Sequence, residues 1–193
     1  MYKKINECRI SGSKNLIPVL NLGIQYLTGV FPKNINQNIT KGPLELVWCP
    51  DSNLLQLNHS YEKKEMYSDS YGYRSSLNKS MIEHLSLKTT YLEKKYLLSS
   101  EDVVIDIGSN DATLLKSYSN KRLKRIGIDP IGRKFEKYYN EQIELIPDFF
   151  SSSILKRNIN KKQVKLITSI AMFYDLEDPL EFISDIYESL TSD

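Results

Sequence analysis

The residues best placed to do chemistry are two acids set beside short apolar runs. Val103-Val104-Ile105-Asp106-Ile107-Gly108 leads into a glycine turn, and Arg125-Ile126-Gly127-Ile128-Asp129-Pro130 closes on an acid at position 129, against glycine at 108. An acid about 20 residues beyond a glycine turn is where nucleotide-binding βαβ units accept hydrogen bonds from ribose hydroxyls. A carboxylate suits that task because it only accepts and can take two hydroxyls at once. Glycine lets the backbone approach a ligand, and the free N–H groups of the following helical turn point at whatever sits above the strand. The first segment alone reads equally as a βα corner without a ligand; the two segments together predict a nucleotide-like molecule.

A second constellation lies near the N-terminus. Cys8-Arg9-Ile10-Ser11-Gly12 and Cys49-Pro50-Asp51-Ser52-Asn53 each hold a cysteine, two residues and a serine. With cysteine in place of both serines the pattern would be CxxC…CxxC, the two-knuckle arrangement that closes a tetrahedral zinc site. As written it is half a site: a hydroxyl stays protonated near neutral pH, whereas thiolate is the soft donor zinc prefers. Two buried thiols in a metal-free remnant is the favoured reading, with Cys8 and Cys49 the residual metal candidates. His59 could add a nitrogen, but its spacing matches no pattern.

The elements that must position these residues follow from periodicity. Residues 1–65 carry the proline-glycine punctuation of short strands and turns. Residues 66–100 hold a tyrosine-rich loop (Met66 to Ser76) that covers something or merely links, then a helix from Leu77 to about Leu97. Its apolar face is Leu77, Met81, Leu85, Leu92 and Tyr96, with Ser75 or Ser76 as cap. Residues 101–193 alternate strand and helix: Val103 onward, a helix from Thr113, a strand ending at Asp129, a helix over Lys134–Tyr139, a strand over Ile143–Phe150, a helix over Ser151–Asn158, a strand over Val164–Phe173, and a helix over Asp178–Leu190. Four βα units predict an α/β fold with a Rossmann-like doubly wound parallel sheet of about four strands, incomplete, behind a small strand-and-turn module.

Bulk composition bounds the rest. The 193 residues hold 40% apolar side chains, enough for a packed core. Lys plus Arg number 26 against 24 acids, too balanced to argue for nucleic acid. The basic run Lys121-Arg122-Leu123-Lys124-Arg125 reads as a solvated corner. No apolar run reaches 18 residues and the N-terminus lacks an apolar signal core, so neither a spanning helix nor a secretory signal is expected. Two cysteines exclude a disulfide scaffold, which makes a reducing cytoplasmic setting the default.

Taken together, these runs resemble class I S-adenosylmethionine-dependent methyltransferases that carry an N-terminal zinc-binding-type domain, relatives of the C-methyltransferases acting on nucleotide-linked deoxysugars. The matching stretches are Leu22-Gly23, Gly42-Pro43-Leu44-Glu45-Leu46-Val47-Trp48-Cys49-Pro50, Leu55-Gln56-Leu57, Tyr71-Gly72-Tyr73-Arg74-Ser75, Asp106 to Asp111, Gly127 to Pro130, and Ser169 to Pro179. The resemblance implies that Asp106, Gly108, Ser109, Asn110 and Asp111 underlie the methionine and ribose of the cofactor. It implies that Asp129, with Pro130, binds the ribose, that Asp148 and Phe149 flank the adenine, and that Ser169 and Ile170 end a strand beside the sulfonium. Tyr71 and Tyr73 correspond to tyrosines over the active site and become the catalytic-side candidates, packing being the alternative. Asn110 and Ala112 stand where a dinucleotide fingerprint has its second and third glycines, which disfavours NAD because the second glycine admits a pyrophosphate.

Two departures shape the functional expectation. Ser11 and Ser52 replace zinc-binding cysteines, so zinc is expected to bind weakly or not at all. The family also continues for roughly as long again, with the glutamate and histidine that serve as general base, so the chain is expected to be truncated before its C-terminal half. The reading is the cofactor-binding half of a methyltransferase for a small molecule, a nucleotide-linked sugar. An inactive fragment, a subunit completed by a second chain, and an NAD-dependent sugar-modifying enzyme are the alternatives.

Overall fold

The computed structural model describes residues 2–27, 29–68, 70–159 and 164–191. They form two compact units, Met1–Tyr73 with Phe173–Phe182, and Arg74–Met172 with Ile183–Asp193. No helix among the described residues is long and apolar enough to cross a membrane.

The first unit is antiparallel strands. β1 (Tyr2–Lys4) is followed by β2 (Ile17–Tyr26), β3 (Lys41–Cys49), β4 (Leu54–Leu57) and β5 (His59–Tyr61), with a one-turn helix α1 (Lys63–Met66). β2, β3 and β4 pair in that order, and β1 pairs with β5. Two prolines are tolerated for positional reasons. Pro18 lies on the edge strand β2, and Pro43 lies on the part of β3 that faces only β2, because β4 joins β3 from Leu46 onward.

The second unit is mixed α/β, as its strand-helix alternation predicts. α2 (Lys79–Lys95) precedes β6 (Val103–Ile107), α3 (Thr113–Ser117), β7 (Lys124–Ile128), β8 (Ile143–Ile146), α4 (Ser152–Asn158) and β9 (Val164–Ser169), and α5 (Pro179–Ser189) contributes its residues from Ile183 on. The four strands are parallel in the order β8-β7-β6-β9. The chain steps outward from β6 to β8 and then returns to β9 on the other side of β6. The strand order therefore reverses between β6 and β9, and in open α/β sheets ligands bind outside the carboxyl ends of strands at that point. β6 is buried throughout, which is why its sequence is a nearly continuous apolar run. Val104 packs with Leu85 of α2, Leu114 and Leu115 of α3, Tyr118, Leu123 and Ile143 in one core.

Several boundaries differ from expectation, each for a local reason. The long helix starts at Lys79 and is capped by Asn78, whose side chain accepts from Ser80 N–H; neither Ser75 nor Ser76 caps it. Of its expected apolar face Leu85 is buried, while Leu77 is 68% exposed and lies in a preceding 3-10 turn (Ser75–Leu77). β8 stops at Ile146 because Pro147 has no N–H to continue the ladder. β9 stops at Ser169, just before Ala171 turns with φ 57°, and Phe173 falls in a 3-10 turn. Gly132–Tyr138 is 3-10 rather than α-helical. Arg125 is no part of a solvated corner: it is 1% exposed, and its guanidinium donates to Leu115 O (3.2 Å) and Gln142 Oε1 (3.0 Å).

Candidate functional site

The C-terminal ends of the neighbouring strands β6 and β7 carry the two predicted acids, one on each. Asp106 pairs in register with Gly127, and Asp129 directly follows Ile128, the last residue of β7. Between β6 and α3 the chain makes a tight loop in which Gly108 (φ 72°), Asn110 (φ 50°) and Ala112 (φ 59°) all take left-handed backbone. Glycine adopts that conformation freely and asparagine tolerates it, but it strains alanine. The loop thus keeps a glycine-like path where Asn110 and Ala112 replace glycine.

Hydrogen bonds hold this path. Gly108 N–H donates to Ile128 O (2.8 Å), Asn110 N–H to Asp129 Oδ2 (2.8 Å) and Ile131 N–H to Asp129 Oδ1 (2.9 Å). Asp129 N–H donates to Ile146 O (3.1 Å), tying in the end of β8. The hydroxyl of Tyr139 donates to Asn110 O (2.9 Å) and lies 2.8 Å from Ser109 Oγ. Gly127 makes room for this contact: a Cβ there would fall 2.5 Å from Ser109 Oγ and 2.9 Å from the Tyr139 ring.

A clamp that sequence reasoning did not find grips the same loop from Arg74-Ser75-Ser76. Ser75 N–H donates to Asn110 Oδ1 (3.0 Å) and Ser76 N–H to Asp111 Oδ2 (3.1 Å). Arg74 Nε lies 3.7 Å from Asp111 Oδ2, its guanidinium stacks on the Tyr138 ring at 4.9 Å, and it hydrogen-bonds the Tyr138 hydroxyl. The Tyr-Gly-Tyr-Arg-Ser run was the available signal, read for its tyrosines rather than for the residues after them.

The carboxylates differ in charge state. Burial pushes Asp106 up to about 7; a hydrogen bond from Thr168 (2.6 Å) pulls the other way, and the charge of Asp129 adds to the rise. Burial also raises Asp129, against the two backbone N–H groups that favour its charge. Burial raises Asp111 too, but the hydrogen bonds from Ser76 and Thr113 and the nearby Lys116 outweigh it, and the net direction is down. Among the described residues no lysine or arginine lies within ion-pair distance of Asp106 or Asp129.

The remaining predicted residues spread along the strand ends. Pro130 is half-buried behind Asp129. Asp148 is exposed beyond β8, its Oδ1 accepting Phe149 N–H, and Phe149 is half-buried. Ser169 ends β9 opposite Ile107, its buried Oγ without a hydrogen-bond partner among the described residues; Ile170 beside it is 39% exposed. Tyr71 and Tyr73 belong to the first unit. There Tyr71 bridges to Val30 and packs on Tyr67 (ring centroids 5.8 Å), and Tyr73 is exposed.

The cysteine-serine pairs do meet, in the first unit. Cys8 Sγ lies 3.1 Å from Ser52 Oγ, and Ser11 Oγ lies 3.6 Å from Cys49 Sγ. Burial pushes the Cys8 thiol up, but hydrogen bonds from the Ser11 side chain and N–H, from Ser52 and from the Ile10 N–H more than offset this and bring it to about 6. His59 turns elsewhere, edge-on to Tyr2 and 3.8 Å from Glu45. Among the described residues no three His, Cys, Asp or Glu side chains are grouped to hold a metal ion.

Comparison with known proteins places these features. Residues 8–67 match a family model described as "Putative zinc binding domain". The C-methyltransferase NovU of Streptomyces niveus is 26% identical over 157 residues, covering 80% of this chain and 37% of that protein. The chain thus spans little more than a third of the length of the curated relative it matches. The crystal structure of the plantazolicin methyltransferase BpumL, in complex with a monoazolic desmethylPZN analog and SAH, aligns at 18% identity and a TM-score of 0.43, over 56% of this chain and 42% of that one. The likeness is thus to a C-methyltransferase, with a zinc-binding-type domain over residues 8–67.

Proposed function

We infer that the second unit is the S-adenosylmethionine-binding part of a class I methyltransferase, and that the acceptor is a carbon of a small molecule, a nucleotide-linked sugar. The observation that carries the reading is the placement of Asp106 and Asp129 at the adjacent C-terminal ends of β6 and β7, beside the reversal of strand order and without a cationic partner among the described residues. A site built of buried carboxylates attracts a sulfonium and repels a pyrophosphate.

The donor set fits an adenosyl ligand. Each oxygen of Asp129 accepts one backbone N–H and keeps acceptor capacity for ribose hydroxyls. Ser169 Oγ is a buried polar atom with no partner among the described residues, and such groups call for a ligand or water to complete them. In this reading Asp129 and Pro130 hold the ribose, the Gly108–Asp111 turn and Asp106 face the methionine end, Asp148 and Phe149 border the adenine, and Ser169 and Ile170 line the donor side. When bound, the cofactor supplies an electrophilic methyl group. The chain's own part is to fix that group's position, which contributes through proximity and orientation. Methylation at carbon is supported by the name of the relative, and the sugar acceptor by the family resemblance of the sequence runs alone.

Calorimetric titration tests the reading. S-adenosylmethionine and its demethylated product are expected to bind, NAD is not, and Asp129→Ala is expected to lower affinity at least tenfold. Binding of NAD in preference to the methyl donor would overturn it.

A further inference from the structure

The two cysteine-serine turns of the first unit are folded as metal knuckles yet carry only half the thiols. Cys8 to Ser13 is a closed turn: Gly12 N–H donates to Cys8 O (2.9 Å) and Cys8 N–H to Ser13 O (2.8 Å), with Gly12 at φ 69°. The N–H groups of Ile10 and Ser11 point at Cys8 Sγ from 3.5 and 3.4 Å. The second turn follows β3, with Asn53 at φ 57°. Ser13 donates to Asp51 across the two turns, and Gln56 accepts from Arg9 N–H (2.9 Å) while donating to Glu7 O (3.1 Å).

The pairing between the turns is crossed. Each cysteine faces the serine of the opposite turn, at 3.1 Å for Cys8 and Ser52 and 3.6 Å for Cys49 and Ser11. A tetrahedral ion with ligand bonds of about 2.0–2.3 Å would hold neighbouring sulfur and oxygen donors about 3.5 Å apart. The first pair is closer than that, at direct hydrogen-bond distance for sulfur, and the second sits at the spacing an ion would give. Neutral hydroxyls are also poor partners for zinc beside soft thiolates.

The geometry points to a metal-free clasp, in which crossed thiol–hydroxyl hydrogen bonds between Cys8 and Ser52 and between Ser11 and Cys49 do the joining that zinc does in a four-cysteine site. The two turns nevertheless keep the mutual placement such a site needs. Metal binding is therefore one substitution per turn away, and the stability of the first unit is independent of zinc. This conclusion is separate from the methyl-donor reading, which concerns the second unit.

The test uses the full chain, expressed with zinc in the medium and purified without chelator. Wild type is expected to carry well under one equivalent of zinc, with a melting temperature unchanged by EDTA. The double variant Ser11→Cys/Ser52→Cys is expected to carry about one equivalent, to give the thiolate absorption bands of tetrahedral cobalt(II) on exchange, and to melt higher until EDTA is added. Ser52→Ala, which removes the partner of Cys8, is expected to melt lower than wild type with unaltered metal content. Stoichiometric zinc in wild type, a folded double-cysteine variant that takes up no metal, or a Ser52→Ala chain as stable as wild type would each overturn the clasp.

Discussion

The backbone N–H of Asn110 donates to Asp129 Oδ2 at 2.8 Å, so the loop after one strand is fastened to the acid that ends its neighbour. With Ile131 N–H on the other oxygen, Asp129 is first a structural acceptor at the strand ends and only then available to a ligand. Substituting Asp129 by Ala leaves two buried N–H groups without an acceptor, each costing about 1–3 kcal/mol. Urea denaturation is expected to show a loss of that order for Asp129→Ala. A variant as stable as wild type would show that the loop holds without this anchor.

Gly127 and Tyr139 support the same loop from β7 and the segment after it. Gly127→Ala would push a methyl group into Ser109 and Tyr139, and overpacking of this kind costs about 1–3 kcal/mol. Tyr139→Phe removes only the hydroxyl that joins Ser109 to the Asn110 carbonyl, expected to cost about 1 kcal/mol. Both are expected to weaken S-adenosylmethionine binding more than their stability loss alone predicts, because they loosen the ligand-facing turn. Parallel calorimetry and denaturation on the two variants separate these effects.

The Arg74 clamp makes a sharper claim. Its guanidinium stacks on Tyr138 and approaches the fully buried Asp111. Lysine keeps the charge but lacks the planar fork that stacks and donates in fixed directions. Arg74→Lys is therefore expected to lose most of the stability that Arg74→Ala loses, about 1–2 kcal/mol, by thermal or urea melts. A fully restored lysine variant would reduce the clamp to a simple charge effect.

What could be read from the chain alone was what is local. β6 and β7 are short apolar runs beside acids, and period and spacing reveal them without any partner. The clamp could not be read that way, since Ser75 and Ser76 reach Asn110 and Asp111 across 35 positions through backbone N–H groups that any residue would supply. Thr168 carries no signal of its own, because a hydroxyl inside an apolar strand has no visible partner until register places it 2.6 Å from Asp106. Arg125 misled for the opposite reason: cations are usually solvated, and only the fold supplies the carbonyls that bury this one. The crossed cysteine-serine contacts were legible as a pattern, but their crossing was not.

Asp106 and Asp111 make opposite demands on pH. The folded value of Asp106, about 7, lies above the roughly 3.9 of an unfolded aspartate, so its stability contribution is fully present below pH 4 and is lost as pH rises through 7. The slope in that window is at most about 1.4 kcal/mol per pH unit. Asp111 is held below its ordinary value, so its contribution is present above pH 4 and is lost as pH falls through the folded value. Asp106→Asn keeps an acceptor for Thr168 and removes the titration. It is expected to gain stability over wild type between pH 6 and 8 and to lose most of that advantage by pH 5. A bound sulfonium favours ionised Asp106, so S-adenosylmethionine affinity in wild type is expected to rise over the same interval, with about the same affinity at both ends for Asp106→Asn. Denaturation and calorimetry across pH 5 to 8 measure both trends. Parallel stability curves for wild type and Asp106→Asn would show that Asp106 does not titrate in this window.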